Sequence, residues 1–288
     1  MDGVVVRWLV TGSNGMLGQD LVQLLLAQGE DVVGVDRDTL DITDPSAVDD
    51  GVADRDVLVN CAAWTAVDAA EAHEGDAFDV NAVGPANLAR SASRHGARLV
   101  QISTDYVFDG AATTPYTEDA PAAPRSAYGR TKMAGEWAVR AETSDYLIVR
   151  TAWLYGAGGP CFPKTIARVA KERGGLDVVS DQVGQPTWTA DLSDLIVRLV
   201  THGAPSGTYH GTSSGLTSWH EFAQAIVASA GLDPATVRTT TSDAYVRPAP
   251  RPGYSVLGHD ALVAAGVDPI GDWATRWAAA APAVLAAG

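Results

Sequence analysis

The sequence predicts an α/β protein built as a doubly wound parallel sheet, with a smaller mixed α/β lobe formed by the C-terminal half. Three observations carry this reading. Short β-prone runs alternate with helical patterns through residues 1–150, a glycine-rich turn joins the first strand to the first helix, and beyond Arg150 the alternation loosens into short mixed segments.

Residues 4–10 form a nearly continuous β-prone run, followed by Thr11-Gly12-Ser13-Asn14-Gly15-Met16-Leu17-Gly18 and a segment with apolar residues at Leu17, Leu21, Leu24 and Leu25. That pattern is strand, turn and amphipathic helix. Gly29 ends the helix and residues 31–35 supply a second strand, completing a βαβ unit. Further strands are expected at 57–60, 98–103 and 146–150, with helices between them. In such a sheet, ligands lie beyond the carboxyl ends of the strands, so the chemistry should follow them. Past Arg150 the pattern predicts a loop at 156–159, helices at 162–171, 191–200 and 219–230, and a turn-rich stretch at 203–215. Arg247-Pro248-Ala249-Pro250-Arg251-Pro252 is incompatible with regular structure. The expected division is a dinucleotide-binding domain over 1–150, with return segments at about 177–200, and a mainly substrate-binding lobe over 151–288.

With 288 residues, 46% of them hydrophobic, the chain can bury a large core. Its net charge of −15 disfavours nucleic acid and anionic membranes as partners. Cys61 and Cys161 stand alone, without the spacing of a metal site, so a reduced, cytoplasmic protein is expected. No apolar run approaches membrane-spanning length, and no signal segment opens the chain.

Gly12, Gly15 and Gly18 lie between a strand and a helix, where glycine permits the tight turn and lets backbone N–H groups approach a pyrophosphate at the helix N-terminus. With Asn14, Met16 and Leu17, they form the expected dinucleotide cradle of a Rossmann-type fold. The spacing is GxxGxxG, not the GxGxxG of many dehydrogenases. At the end of the second strand, Asp36 suits a ribose 2′-hydroxyl and Arg37 a 2′-phosphate. The two conflict, and Arg37 alternatively pairs with Asp38; the balance favours NADPH while leaving NADH possible. Small residues Ala62 and Ala63 follow the third strand, where a nicotinamide ribose would lie close to the backbone.

Tyr128 and Lys132 are spaced i, i+4, so both project from one helix face. A nearby cation is expected to lower the phenol's pKa, and a ketone receiving hydride needs a proton on its oxygen. Thr104 follows the strand at 98–103, placed to donate a hydrogen bond to that oxygen. These three residues are the expected catalytic set.

The chain resembles the extended short-chain dehydrogenase/reductases and, within them, the dTDP-4-dehydrorhamnose reductases over nearly its whole length. The matching strings include Gly12 to Gly18, Asp41-Ile42-Thr43-Asp44, Asn60 to Asp68, Val80-Asn81, Ser103 to Gly110, Tyr128 to Lys132, Arg150 to Gly156, Asp181 to Thr187, and Arg251-Pro252. The resemblance implies that a dTDP-4-keto-6-deoxy-L-hexose is reduced at C4 to dTDP-L-rhamnose or a close relative. It also implies that Asp41 and Ile42 contact adenine, that Ala62 and Ala63 line the nicotinamide ribose, and that Thr65, Val67, Asp105, Tyr106 and Trp153 border the sugar. Arg251 would hold the diphosphate, with Lys164 and Arg168 as further candidates. Trp64 stands where the family usually has tyrosine, and Met16 where glutamine is frequent. Asp20 replaces a glutamate that some members use in a metal-bridged dimer, so no obligatory metal is expected, and the chain would act as a monomer or homodimer.

Three rivals remain at this stage. A dehydratase or epimerase of the same superfamily would recycle its cofactor, but dehydratases carry an Asp-Glu pair after the threonine, and here Asp105 is followed by Tyr106. A binding-only regulatory subunit, like those of methionine adenosyltransferase, would not need the Thr104, Tyr128 and Lys132 set. A ketoreductase of antibiotic sugar assembly, making dTDP-dihydrostreptose or another deoxyhexose, shares every motif. Bland roles also stand: Trp153 as a core aromatic, Asp105 as a loop cap, and the histidines as surface or satisfied groups.

Overall fold

A computed structural model describes residues 5–287. In chain order, β1 (Arg7–Thr11), α1 (Met16–Ala27), β2 (Asp31–Val35), α2 (Pro45–Val52) and β3 (Val57–Asn60) come first. Next are the short α3 (Val67–Ala70) and α4 (Glu74–Phe78), a π-helical segment Asp79–Val83, α5 (Gly84–His95), β4 (Arg98–Thr104), α6 (Ala127–Glu142) and β5 (Tyr146–Thr151). The second half holds β6 (Leu154–Tyr155), α7 (Phe162–Arg173), β7 (Leu176–Val179), β8 (Val183–Gly184), β9 (Thr187–Trp188), α8 (Thr189–Thr201) and β10 (Gly207–His210). It closes with β11 (Ser213–Ser214), β12 (Thr217–Ser218), α9 (Trp219–Ser229), β13 (Val237–Thr240), α10 (Asp260–Ala264), β14 (Ile270–Asp272) and α11 (Trp273–Ala286).

Six parallel strands form the main sheet in the order β10-β5-β4-β3-β1-β2. Their apolar residues serve both faces in alternation. Trp8, Val10, Val59, Val100, Leu147 and Val149 pack with α1 and α8, whereas Leu9, Leu58, Leu99 and Ile148 pack with α2, α5 and α6. Coverage on both sides is why these strands read as unbroken apolar runs. The strand order reverses at β1, between β2 and β3, and that reversal opens a crevice at the carboxyl ends of β1 and β3.

Of the first expected strand, Val4 lies outside the described residues, and the ladder begins at Arg7. One expectation is corrected. The stretch 203–215, read as turns, contains β10, which pairs with β5 as an edge strand of the main sheet. Within β10 only Tyr209 joins the apolar core, and Gly203, Pro205 and Gly211 around the strand give the segment a turn-like composition. Of the return segment expected at about 177–200, α8 packs on the main sheet and β7 does not. β7 pairs with β13 away from the main sheet because Val178 packs in a separate core with Tyr155, Phe222 and Trp277. The chain returns to the main sheet through α8 and β10, and Leu262, Val267 and Ile270 also pack there.

Candidate active site

The turn after β1 is shaped by what a side chain would strike. Gly12 has φ of 67°, and a Cβ there would stand 2.6 Å from the Ala62 backbone nitrogen. A Cβ on Gly18 would overlap the Gly12 carbonyl oxygen, so α1 can rest on the turn only with glycine at that position. Gly15 caps α1 without any side-chain hydrogen bond, and no acidic residue occupies the first turn. First-turn N–H groups therefore remain for an anion, which the helix dipole also favours. This is a cradle that fits a pyrophosphate.

A cavity of about 690 Å³ runs from this turn along the carboxyl ends of the strands. Among the sequence-predicted cofactor residues, Gly12, Gly15, Met16, Leu17, Asp36, Arg37, Asp41, Ile42, Ala62 and Ala63 line it. So do Thr65, Val67, Thr104, Asp105, Tyr106, Tyr128, Lys132 and Trp153. Asn14 and Arg251 do not. The backbone N–H of Asn14 donates to Asp36 Oδ2 at 2.7 Å, beside the Ser13 hydroxyl at 2.9 Å, so this residue holds the turn against β2 instead of facing the cavity. Arg37 is 86% exposed and lies 3.7 Å from Asp41, not against Asp38.

Arg251 pairs with Asp68 at 3.0 Å and lines a neighbouring cavity of about 250 Å³ with Arg125, which shares Tyr106 with the first. Lys164 and Arg168 line neither cavity. Lys164 donates to the carbonyls of Ala157 and Ala287, and Arg168 pairs with Glu172.

Polar side chains fix the strand ends. Thr11 donates to Asn60 at 2.6 Å, Asn60 donates to Gln101 at 2.8 Å, and Asn60 also accepts the Ala62 N–H at 3.2 Å. Asn81 holds both the N–H and the carbonyl of Trp64 while donating to Thr131 on α6, tying the Ala63–Thr65 loop to the helix of Tyr128. These supporting roles of Asn60 and Asn81 were not foreseen; polar residues within apolar runs were their sequence signal.

Ser126 caps α6, and Gly129 lets the helix lie directly against the Tyr106 carbonyl. Tyr128 and Lys132 thereby enter the cavity from one face. Lys132 is 4% exposed, and its Nζ donates to the Ile102 carbonyl at 2.6 Å. Burial pulls its pKa down to about 8, against the attraction of Glu136. One turn further on, Glu136 is fully buried between Arg150 and Arg140 and accepts the Ser103 hydroxyl at 2.6 Å, locking α6 to β4 and β5.

The expected lowering of the Tyr128 pKa is corrected. Burial pushes it up to about 12, with the neighbouring Thr104 hydroxyl as the opposing influence. The Lys132 ammonium is engaged by the Ile102 carbonyl, and desolvation of the phenolate is the largest influence on Tyr128. Thr104 donates to Asp105 Oδ1 at 2.9 Å and accepts the Tyr106 N–H at 3.2 Å. Asp105 is 2% exposed; its Oδ2 faces the Ser255 hydroxyl without an aligned hydrogen bond, and burial pushes its pKa up to about 6.

Trp153 has φ of 48°, a left-handed backbone that costs a non-glycine residue about 1–2 kcal/mol. Its strain is held in the lining of the cavity. Among the histidines, His210 is fully buried, with Nδ1 2.8 Å from the Gly258 carbonyl, Nε2 unpartnered and a pKa pushed down to about 3 by burial.

A parallel sheet with a glycine cradle at its reversal point, and a tyrosine and lysine facing it from one helix, defines an extended short-chain dehydrogenase/reductase. Within that class, the chain belongs to the RmlD substrate binding domain family, whose model matches residues 6–285. It is 49% identical over 285 residues to the dTDP-4-dehydrorhamnose reductase of Streptomyces griseus, covering 96% of this chain and 94% of that protein. It is 48% identical over 287 residues to a probable dTDP-4,6-dihydroxy-2-methyloxan-3-one 4-ketoreductase of Streptomyces antibioticus, covering 98% and 97%. The fold also matches the crystal structure of dTDP-4-dehydrorhamnose reductase from Bacillus anthracis in complex with NADP, with a TM-score of 0.93, 38% identity and coverage of 96% and 99%.

Proposed function

We propose that the protein is an NADPH-dependent reductase of the C4 ketone of dTDP-4-dehydro-L-rhamnose, giving dTDP-L-rhamnose. The observation that carries this is one cavity lined both by the glycine cradle that fits a pyrophosphate and by Thr104, Asp105, Tyr128 and Lys132. The NADP complex of the Bacillus anthracis relative supports the cofactor, and the Streptomyces griseus relative supports the sugar nucleotide.

When bound, the reduced dinucleotide supplies the hydride. Tyr128, its pKa raised by burial, carries its proton at neutral pH and delivers it to the ketone oxygen as negative charge develops there. The alkoxide is a stronger base than phenolate, so this transfer is downhill even with the raised value. Lys132 places a positive charge beside the phenolate that remains. Thr104 polarises the same oxygen once its hydrogen turns from Asp105, and Asp105 accepts from sugar hydroxyls. Asp36, Arg37, Asp41 and Ile42 would hold the adenosine end, with Thr65, Val67, Tyr106 and Trp153 around the sugar.

Residues 1–150 with α8 and β10 make the dinucleotide-binding part of this reading, and the remainder of 151–288 the substrate lobe. Arg251 and Arg125, across the Tyr106 ring, suit the substrate diphosphate. No described helix is long and apolar enough to cross a membrane, and Cys61 and Cys161 are free thiols. In this reading the protein works in the cytoplasm, as a monomer or homodimer.

A second reading, a dTDP-ketosugar reductase of antibiotic assembly, is favoured by the near-equal identity to the Streptomyces antibioticus 4-ketoreductase. Incubation with NADPH and dTDP-4-dehydro-L-rhamnose, followed by product analysis by NMR, separates the two. dTDP-L-rhamnose supports the first reading; turnover only with another 4-ketosugar supports the second.

A further inference from the structure

Trp153 lines the cavity, and two residues outside the cavity hold its indole. Gly184 and Trp219 are brought together by the β8–β12 ladder, in which Thr217 pairs with Gly184 and Ser218 with Val183. Trp219 opens α9 and is fixed by the capping box of Ser218 and Glu221. Its indole stacks on Trp153, with ring centroids 3.6 Å apart and planes within 10°. A Cβ on Gly184 would stand 2.6 Å from Cε2 and 2.7 Å from Cζ2 of Trp153. These are fused-ring atoms, which cannot swing aside as a flexible tip would.

Behind the stack, Phe162 lies 4.4 Å from Trp219 and 5.9 Å from Phe222, a fully buried residue of the lobe core. The Trp153 carbonyl accepts the Thr187 N–H at 3.3 Å, fixing the left-handed residue at its backbone as well. A strained aromatic residue keeps such a conformation only when its surroundings over-determine it. Here the surroundings are all in the lobe.

We propose that Gly184 and Trp219 are specificity-determining positioning residues, sandwiching Trp153 between them so that the part of its indole left open to the cavity registers the sugar ring against Tyr128. The inference rests on the reading under Proposed function. The apolar rim of the indole complements the C–H groups or the methyl group of a deoxyhexose, so discrimination among 4-ketosugars is set by lobe residues that do not line the cavity.

The test is calorimetric binding of dTDP-L-rhamnose to NADP-saturated wild type, Gly184→Ala, Trp219→Ala and Trp219→Phe, with NADP affinity measured on each protein. Gly184→Ala and Trp219→Ala should each weaken the sugar nucleotide about tenfold with NADP affinity unchanged, because overpacking or unstacking displaces Trp153 alone. Trp219→Phe, which keeps a flat ring, should restore most of the affinity. Wild-type affinity in Gly184→Ala overturns the clamp, as does a parallel loss of NADP binding, which would signal general misfolding. A wild-type protein that binds dTDP-L-rhamnose but consumes no NADPH with the ketosugar overturns the functional reading and leaves the clamp standing.

Discussion

The Thr104 hydroxyl gives its single hydrogen to Asp105 Oδ1 at 2.9 Å. The donor expected to face the ketone is therefore turned toward a buried carboxylate, and it is released when Asp105 takes a proton or a sugar hydroxyl. Reaction and stability are coupled at this pair.

Asp105 binds its proton more tightly in the folded protein, since burial lifts its pKa from 3.8 to about 6. The stability this group contributes is present below the unfolded value and lost as pH rises through about 6. Asp105→Asn should therefore raise stability at neutral pH by on the order of 2–3 kcal/mol, and by almost nothing near pH 4, while turnover falls. Thermal melts across pH check this. A variant destabilised at every pH contradicts it.

Lys132 has the opposite sign. Burial lowers its pKa to about 8, so the ammonium beside the reacting oxygen is lost as pH rises through that value. The kcat/KM profile of the free enzyme should fall about tenfold per pH unit above about pH 8. Lys132→Met should be at least about a hundredfold slower and lack this limb. A wild-type profile flat to pH 10 contradicts the role.

Tyr128→Phe removes the proton donor but keeps the ring that meets Tyr106 edge-on at 5.6 Å. NADPH affinity should stay within about threefold while kcat falls by about 10²–10⁴. Fluorescence titration and steady-state rates measure the two separately; undiminished turnover would exclude Tyr128 as the acid.

Gly12→Ala places a methyl against the Ala62 backbone at a residue with φ of 67°. The turn must open, so dinucleotide affinity should drop at least about tenfold, with a stability loss of about 1–3 kcal/mol. Denaturant melts with and without NADPH report both. A variant that still gains wild-type stabilisation from NADPH contradicts the cradle.

Much of the sheet was legible because β1, β3, β4 and β5 are buried on both faces and so read as apolar runs bounded by turns. β10 was not, because an edge strand with one core residue, Tyr209, resembles the loops around it. The glycine turn and the Tyr128/Lys132 spacing announce themselves because they are local. What the sequence does not reveal is that the Asn14 backbone N–H is turned to Asp36, or that Arg251 lies in a neighbouring cavity paired with Asp68, a partner far away in sequence. The Tyr128 pKa was misjudged for a related reason. Spacing reveals the nearby lysine but not the depth of burial that is the largest influence on the phenol, nor the Ile102 carbonyl that engages the lysine.

Net hydride transfer from NADPH to the sugar is the central claim, and labelled cofactor tests it most directly. The protein is incubated with C4-deuterated NADPH and dTDP-4-dehydro-L-rhamnose, and the product is read by NMR. Deuterium at the sugar C4, with one NADPH oxidised per product formed, is the predicted result. Conversion of the sugar without NADPH consumption, or deuterium at any other sugar carbon, would contradict it.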